Sequence, residues 1–594
     1  MSQPPPQQGP PRILAWIGIV VVFFAAVAPT LSWLEFSGGM ENLNIATALE
    51  LRRDHPGDWL IPTLEGEPRV KKPPLTAWIT AAAIRPRTVA DLSSRDPAVR
   101  DAAADALAWE VRWPSLLAAC LMLVATYELG RAIADPSTGL VAAFIGGTTL
   151  MFLKFGRSAM IDVHLGLWVV VANVFLAHAI LRGRRWTGCL GTGAAMGIAF
   201  LLKGPVGWVQ CLVPALVYAV AVALHKRPPR KQDMRRGFPI DEVQRDETAV
   251  HLRSAVTGGR GNVVPWIAPV LVAALLLCAI ALPWFIYIAK HVPAGLDTWK
   301  HEAVEERGEK PSSIFGYLAL LPYILPWTIS FIGGLINARR ATALAAVMAV
   351  LPLVVMSFYK DRKERYMYPM TGAAAVVAAG GIMTLARKRE PWTGLDHAAV
   401  VQHWVLLVAF GLLLPAAAAA TSAIPVREIQ TVDGTPWLTR QWGAGLTVAM
   451  GLVIAGGLLI RRRWPLGLVG TTVVVMLVAH AVAIHGYART ENGLSPMRPL
   501  ARAIWAAHPD AQMYNAHPRG KRASVDLSIY MNRVTEWVSM EELAALKPGP
   551  RTKVVVMLQD PNGPPPTPPA GWRFLEKVRR DKDHWWAFAL DAAR

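Results

Sequence analysis

The feature that most constrains this chain is a series of apolar runs, each close to the length that crosses a bilayer. A helix needs roughly 20 apolar residues to span about 30 Å of hydrocarbon. Runs of that kind lie at 13–33, 113–130, 137–153, 161–181, 186–202, 204–224, 263–290, 313–337, 341–358, 366–386, 403–421, 441–460 and 464–485, so about thirteen transmembrane helices are expected. Apolar residues make up 53% of the 594 and charged residues only 17%, which places most of the chain in lipid. The segment from Pro73 to Ile84 is apolar but only about a dozen residues long, and it reads as a helix lying in the interface. The first run exceeds a signal-peptide core in length. It is therefore expected to stay as a helix behind a disordered, proline-rich N-terminus at 1–12.

Charge fixes the orientation. With a cytoplasmic N-terminus and a non-crossing 73–84, the basic clusters at Arg182 to Arg185, Lys226 to Arg260, Arg339 and Arg340, Arg387 to Arg389, and Arg461 to Arg463 all fall inside. Making 73–84 a span would put every one of them outside. The formal charge of +19 is thus a membrane-orientation pattern, and no nucleic-acid recognition fold is visible. Cys120, Cys189, Cys211 and Cys278 all sit in apolar runs and read as small core hydrophobes. From about 490 onward the chain turns polar. TKVVVML at 552–558, the turn PNGPPPTPP and the alternation near His584 predict a small extracytoplasmic α/β domain at 490–594.

Ionisable residues at the outer ends of spans are the candidates for chemistry, because charge beside lipid is costly. Glu41 opens a helix whose stripe continues through Ile45, Ala48, Leu49 and Arg52, so its carboxylate faces inward, either as a base or as an acid suited to the helix dipole. Asp162 stands at the mouth of a span, where it either shares a site with Glu41 or pairs with Arg157. Lys203 lies at a Gly-Pro helix break, and Lys71 and Lys72 precede a Pro-Pro pair. Lys360, Arg362, Lys363 and Arg365 break the positive-inside rule, which points to an anionic lipid or a phosphate as their partner. Together these cations outline a phosphate pocket. Trp284, Trp327 and Tyr366 read as interface aromatics, and the outer loop holding His301 and Glu302 lacks metal-ligand spacing.

Seven stretches in order, GDWLIPTLEGEPRVKKPPLTAW, VRWPSLLAA, GRSAMIDVHL, AFLLKGPVGW, ALPWFIYIAK, LLPYILPW and SFYKDRKERYMYP, resemble the polyprenyl-phosphate-sugar-dependent glycosyltransferases of the GT-C fold. The nearest likeness is to bacterial aminoarabinose transferases of lipid A and to protein O-mannosyltransferases. The resemblance implies a polytopic α-helical catalytic domain at 13–489, with interfacial helices in a first outer loop at 35–112. It further implies sugar transfer from a polyprenyl-phosphate donor to a lipid, glycan or protein acceptor at the outer face of a bacterial inner membrane. Glu41 and Asp162 match the family's catalytic carboxylates, Lys72, Lys203 and Arg362 match its donor-phosphate contacts, and Lys360 and Tyr366, close to Arg362 in the chain, are expected at the same phosphate.

Three departures accompany the match. Glu41 and Asn42 replace the family's aspartate and glutamate, and the histidine expected before the outer-loop proline is absent from GEKPSSIFGY. Lys71 occupies the position of a glutamate that ligates metal in some members, so no cofactor is certain: a divalent metal stays open as a cofactor, but the family's ligand position is lost. Readings from other classes are a lipid or solute transporter, which would call for inverted repeats that are not found, and a non-catalytic scaffold with the same fold.

Overall fold

The computed structural model describes residues 11–36, 39–54, 59–224, 264–295, 320–338, 340–358, 363–388, 465–488, 497–516, 525–559, 564–580 and 583–593, with short pieces between 297 and 299 and between 391 and 405, and residues 451 and 495. The expectations for residues 1–10, for most of the 403–421 and 441–460 spans, and for Lys360, Arg362, His301 and Glu302 lie outside the described residues.

The membrane part begins with α1 (Arg12–Val27), followed after a polar segment by α2 (Gly39–Arg53), a small hairpin of β1 (Thr63–Leu64) and β2 (Glu67–Pro68), α3 (Leu75–Ala83) and α4 (Pro86–Leu92). Next come α5 (Pro97–Ile133), α6 (Pro136–Gly147), α7 (Leu150–Phe155), α8 (Ile161–Arg182), α9 (Arg185–Lys203), α10 (Val206–Leu224) and α11 (Val264–His291). Then follow α12 (Leu320–Tyr323), α13 (Thr328–Ile336), α14 (Arg340–Met356), a 3-10 turn (Glu364–Met370) running into α15 (Thr371–Arg387), and α16 (Pro465–Tyr487). Among the described residues, six helices are long and apolar enough to cross a membrane, and three shorter apolar helices accompany them. The short α3, nine residues long, agrees with a segment that does not cross.

Two expected spans are broken. The run at 137–153 divides into α6 and α7 because Thr148 Oγ1 donates back to Phe144 O at 2.7 Å and Thr149 caps α7 at the Phe152 N–H. The run at 313–337 yields only the four residues of α12 and the nine of α13 within its described part, with Pro322 inside α12 and Pro326 between the two each lacking an amide donor. The run at 113–130 instead lies mostly in the C-terminal half of the 37-residue α5, which starts from an Asp96 cap and so extends well beyond the hydrocarbon.

Helix direction sorts the charges to two ends of the bundle. One end holds Arg12, Glu128 and Arg131, with Glu128 accepting from Arg12 Nε at 2.7 Å, Trp16 Nε1 at 2.8 Å and Arg131 Nη2 at 2.7 Å, and also an Arg387–Asp135 pair at 2.9 Å. The other end holds Glu41, Asp162 and Lys203.

The C-terminal part consists of α17 (Met497–Ala507), β3 (Gln512–Ala516), α18 (Val525–Met531), β4 (Thr535–Trp537), α19 (Met540–Ala545), β5 (Lys553–Gln559), β6 (Arg573–Arg580) and β7 (Asp583–Leu590). Its sheet runs β4-β3-β5-β7-β6, parallel around β3 and antiparallel through β7. One face of that sheet does not form a core of its own. Met497, Ile504, Trp585 and Ala587 share a single apolar cluster with Phe36, Ile45, Leu49 and Leu107 of the first loop and α5.

Candidate functional site

The first loop is built around α2, which has few exposed residues. Glu50 on this helix accepts from Thr63 Oγ1 at 2.8 Å and from the Glu65 N–H at 2.6 Å, fixing the β1–β2 hairpin against it. Arg69, just beyond the hairpin, donates to Leu43 O at 2.7 Å and to Thr47 Oγ1 at 2.6 Å. Burial lowers the Arg69 guanidinium to about 10, with Glu50 opposing the shift. Three indoles hold the same stretch from outside: Trp78 Nε1 donates to Trp59 O, Trp284 Nε1 to Leu60 O, and Trp299 Nε1 to Val70 O. Trp284 and Trp327 are therefore not belt anchors. Both are buried, and Trp327 donates to Thr148 Oγ1 at 3.0 Å inside the bundle.

Glu41 is 7% exposed and fully engaged. Arg112 of α5 meets it through Nε–Oε1 at 2.9 Å and Nη2–Oε2 at 3.1 Å, and the Ala159 N–H donates to Oε1 at 2.9 Å. Arg112 in turn donates to the carbonyls of Leu31, Leu34 and Glu35. Burial alone would raise the Glu41 carboxyl, but Arg112, the Ala159 amide and the nearby Arg157 together hold it below its ordinary value. The neighbouring Asn42 donates to Asp526 of α18.

The segment 157–160 leads from this pair into the first turn of α8. Asn44 holds it from α2 by donating to Ala159 O at 3.2 Å. Arg157 does not pair with Asp162: it donates to Thr30 O, and its charge acts on Glu41. Asp162 pairs instead with Lys203 at the end of α9, and Arg365 Nε stands 3.4 Å from its second oxygen. Lys203 Nζ lies 3.9 Å from the centre of the Tyr366 ring, and Arg365 Cζ is 5.3 Å from the same ring. Both side chains are largely withdrawn from solvent, so neither cation is snorkelling free of a partner. The charges of Lys72 and Arg365 both act on Lys203.

Elements from three parts of the chain set this geometry. Gly204 ends α9 at φ 61° and ψ −145°, a region open in practice to glycine, and turns the chain immediately after Lys203. Gln210 of α10 donates to Tyr366 O at 2.8 Å, and Lys154 of α7 bonds Glu364 at 2.8 Å, which holds the 3-10 turn carrying Arg365 and Tyr366. A small pocket opens beside the cluster, lined by Asn44, Thr47, Arg69, Lys72, Thr76 and Ile161. Ile161 directly precedes Asp162.

The structure thus brings Asp162, Lys203, Tyr366 and Lys72 into one site and places Glu41 behind it, joined through the 157–162 segment. Arg365 was legible only as part of a basic cluster, and Arg112, Arg69 and Glu50 went unseen. An arginine opening a long apolar run is the signal by which Arg112 could have been found. Among the described residues no cluster of His, Cys, Asp and Glu could hold a metal. Three of the cysteines are buried as expected, whereas Cys278 is exposed on α11.

Residues 103–233 match the family model of dolichyl-phosphate-mannose-protein mannosyltransferases. An undecaprenyl phosphate-alpha-4-amino-4-deoxy-L-arabinose arabinosyl transferase of Pseudomonas aeruginosa is 32% identical over 112 residues, covering 18% of this chain and 20% of that protein. Its namesake from Pseudomonas paraeruginosa is 27% identical over 357 residues, covering 52% and 62%. The chain thus matches less than two thirds of the length of either relative. The crystal structure of ArnT from Cupriavidus metallidurans bound to undecaprenyl phosphate superposes with a TM-score of 0.66 at 15% identity, over 97% of this chain and 98% of that one. The protein is a helical membrane protein with the GT-C fold of ArnT, and its sequence resembles the polyprenyl-phosphate-sugar transferases that share it.

Proposed function

We propose that this protein is a membrane glycosyltransferase that moves a sugar from a polyprenyl-phosphate donor to a lipid, glycan or protein acceptor. The observation that carries this reading is the gathering of Lys203, Arg365 and Lys72 around Asp162 beside a pocket. Transfer breaks the bond between the anomeric carbon and the phosphate oxygen, and the leaving polyprenyl phosphate gains negative charge. Fixed cations at that oxygen lower the barrier because they need no reorganisation during the step. Lys203 and Lys72 act as point charges and Arg365 as a planar donor fork. Lys360 and Arg362 remain candidates for the same phosphate.

The two carboxylates divide the remaining work. Both Glu41 oxygens are held by Arg112 and Ala159, so we assign Glu41 the task of holding the 157–162 segment in place of the expected proton removal. Lys203 bonds Asp162 through Oδ1, while Arg365 Nε stands 3.4 Å from Oδ2. That oxygen is the better placed to take a proton from an acceptor hydroxyl once donor phosphate draws Arg365 toward itself. In the topology we propose there are thirteen crossings, with this site and the 490–594 region on the extracytoplasmic side of the inner membrane.

The experiment is transfer from a labelled polyprenyl-phosphate sugar in proteoliposomes. Asp162→Asn and Lys203→Met should each lower turnover by about 10²- to 10⁴-fold, the range for loss of a positioned base or charge stabiliser. Wild-type turnover in both variants would refute the assignment.

A further inference from the structure

Strands β6 and β7 form the outer end of the C-terminal sheet, with β6 at its edge. One face of this pair is closed, because Trp585, Ala587 and Ala589 enter the core shared with the first loop. The opposite face carries three aromatic rings, of which Phe588 is buried in a core with Val538, Leu543, Val555 and Met557, Trp586 is partly buried against that core, and Phe574 stands open to solvent. Phe574 is 49% exposed, and its ring centre lies 5.7 Å from Trp586 and 6.0 Å from Phe588. Trp586 and Phe588 are nearly parallel, at 6° and 6.4 Å. The Trp586 indole is fixed by donating to Gln559 Oε1 at 2.9 Å.

Cations border these rings. Lys577 pairs in register with Trp586 and sets its Nζ 4.5 Å from the ring centre, and Arg579, two residues further on, shares the face. Basic residues on an edge strand also guard against edge-to-edge pairing. That role accounts for Lys577 and Arg579 but not for Phe574, since an exposed ring on the same strand works against it. The exposed Phe574 ring and the open part of the Trp586 indole, set beside cations, suit a ligand with apolar C–H faces and acidic groups together. A charged sugar chain has both.

We propose that this face of β6 and β7 binds an anionic oligosaccharide, one bearing carboxylate or phosphate groups, at a site separate from the Asp162 cluster. Phe574 and the open part of Trp586 engage the sugar faces, and Lys577 and Arg579 engage the acidic groups. The test is calorimetry on the full-length protein in nanodiscs of neutral lipid, using oligogalacturonate, a neutral malto-oligosaccharide of equal length, and sodium phosphate.

Oligogalacturonate should saturate, bind more weakly as salt rises, and lose at least tenfold in affinity in Phe574→Ala and in Lys577→Gln. Phe574→Tyr, which keeps the ring, should retain it. Lys203→Met should bind the sugar as wild type does, so a failure here is distinct from a failure of the transfer mechanism. Absence of saturation, equal binding of the neutral sugar, a response to phosphate alone, or unchanged affinity in Phe574→Ala and Lys577→Gln would overturn the proposal. Adhesion to anionic vesicles without sugar binding would assign the face to lipid and overturn it as well.

Discussion

Glu41 and Asp162 are both buried carboxylates, yet their partners differ enough that their substitutions should behave differently. Glu41→Gln leaves the Arg112 guanidinium buried without its counter-charge, and breaking one side of such a pair costs about 3–5 kcal/mol. We expect a lowered thermal midpoint for Glu41→Gln and partial recovery in the double variant Glu41→Gln with Arg112→Met, read by scanning fluorimetry in detergent. No recovery in the double variant would mean that the two side chains are not coupled. Glu41→Gln should also lower transfer less than Asp162→Asn does, and leave the acid limb of the pH–rate profile in place.

A pH prediction accompanies it. The folded Glu41 carboxyl lies below its ordinary value of 4.5, so its contribution is complete above that value and is lost as pH falls through the lower, folded one. Wild type should lose stability relative to Glu41→Gln only below about pH 4.5, in thermal melts at stepped pH. The sequence made Glu41, Asp162 and Lys203 legible because an ionisable group among apolar neighbours stands out. It did not reveal their partners. Asp162 had Arg157 nearby in the chain, but the fold supplies Lys203 and Arg365, from 41 residues away and from a different helix bundle segment.

At the scale of elements, apolar run length located the helices well where the backbone is regular, as in α1, α8 and α9. It overlooked the breaks, because these depend on short-range competition that hydropathy averages out. Thr148 and Thr149 turn their hydroxyls back on the helix carbonyls and end α6, and Pro326 separates α12 from α13. The C-terminus of α9 is the break that matters for the site. Adding a Cβ to Gly204 would meet nothing within 4 Å, so any cost comes from the backbone alone. At φ 61° and ψ −145° that cost is of order 1–3 kcal/mol. Gly204→Ala should therefore relax by rotating the chain at Lys203 and loosening its pair with Asp162. Transfer should fall by about tenfold or more, while Gly183→Ala, at the distant C-cap of α8 with φ 65°, should cost stability and leave turnover per folded molecule unchanged. Equal turnover losses in both variants would argue that the Gly204 turn does not position Lys203.

Across the whole molecule, the change from apolar to polar sequence near residue 490 was visible and suggested a separate C-terminal unit. The structure joins that region to the first loop through one core and a set of polar ties. Tyr530 Oη accepts from the Phe36 N–H at 3.2 Å, Asn532 Nδ2 donates to Val89 O at 2.9 Å, and Arg498 bonds Glu35 and Asp105, each at 3.0 Å. Contacts spanning 393 to 494 residues leave no local pattern to read. Their consequence is that α2, which carries Glu41 and lines the pocket through Asn44 and Thr47, is held from one side by the membrane helices and from the other by α18. Ending the chain after residue 488 would expose Phe36, Ile45, Leu49 and Leu107 together, an apolar patch large enough to drive association. The truncated protein should elute as aggregate and transfer no sugar. A milder variant separates misfolding from misplacement. Arg498→Ala leaves the apolar core intact but removes the ties to Glu35, Asp101 and Asp105. It should remain monodisperse, melt a few degrees lower and show reduced transfer, with the loss in kcat greater than in KM because the donor cluster around Lys203 is untouched. A truncated protein that stays monodisperse and keeps full transfer would mean that α2 holds its place without the C-terminal region.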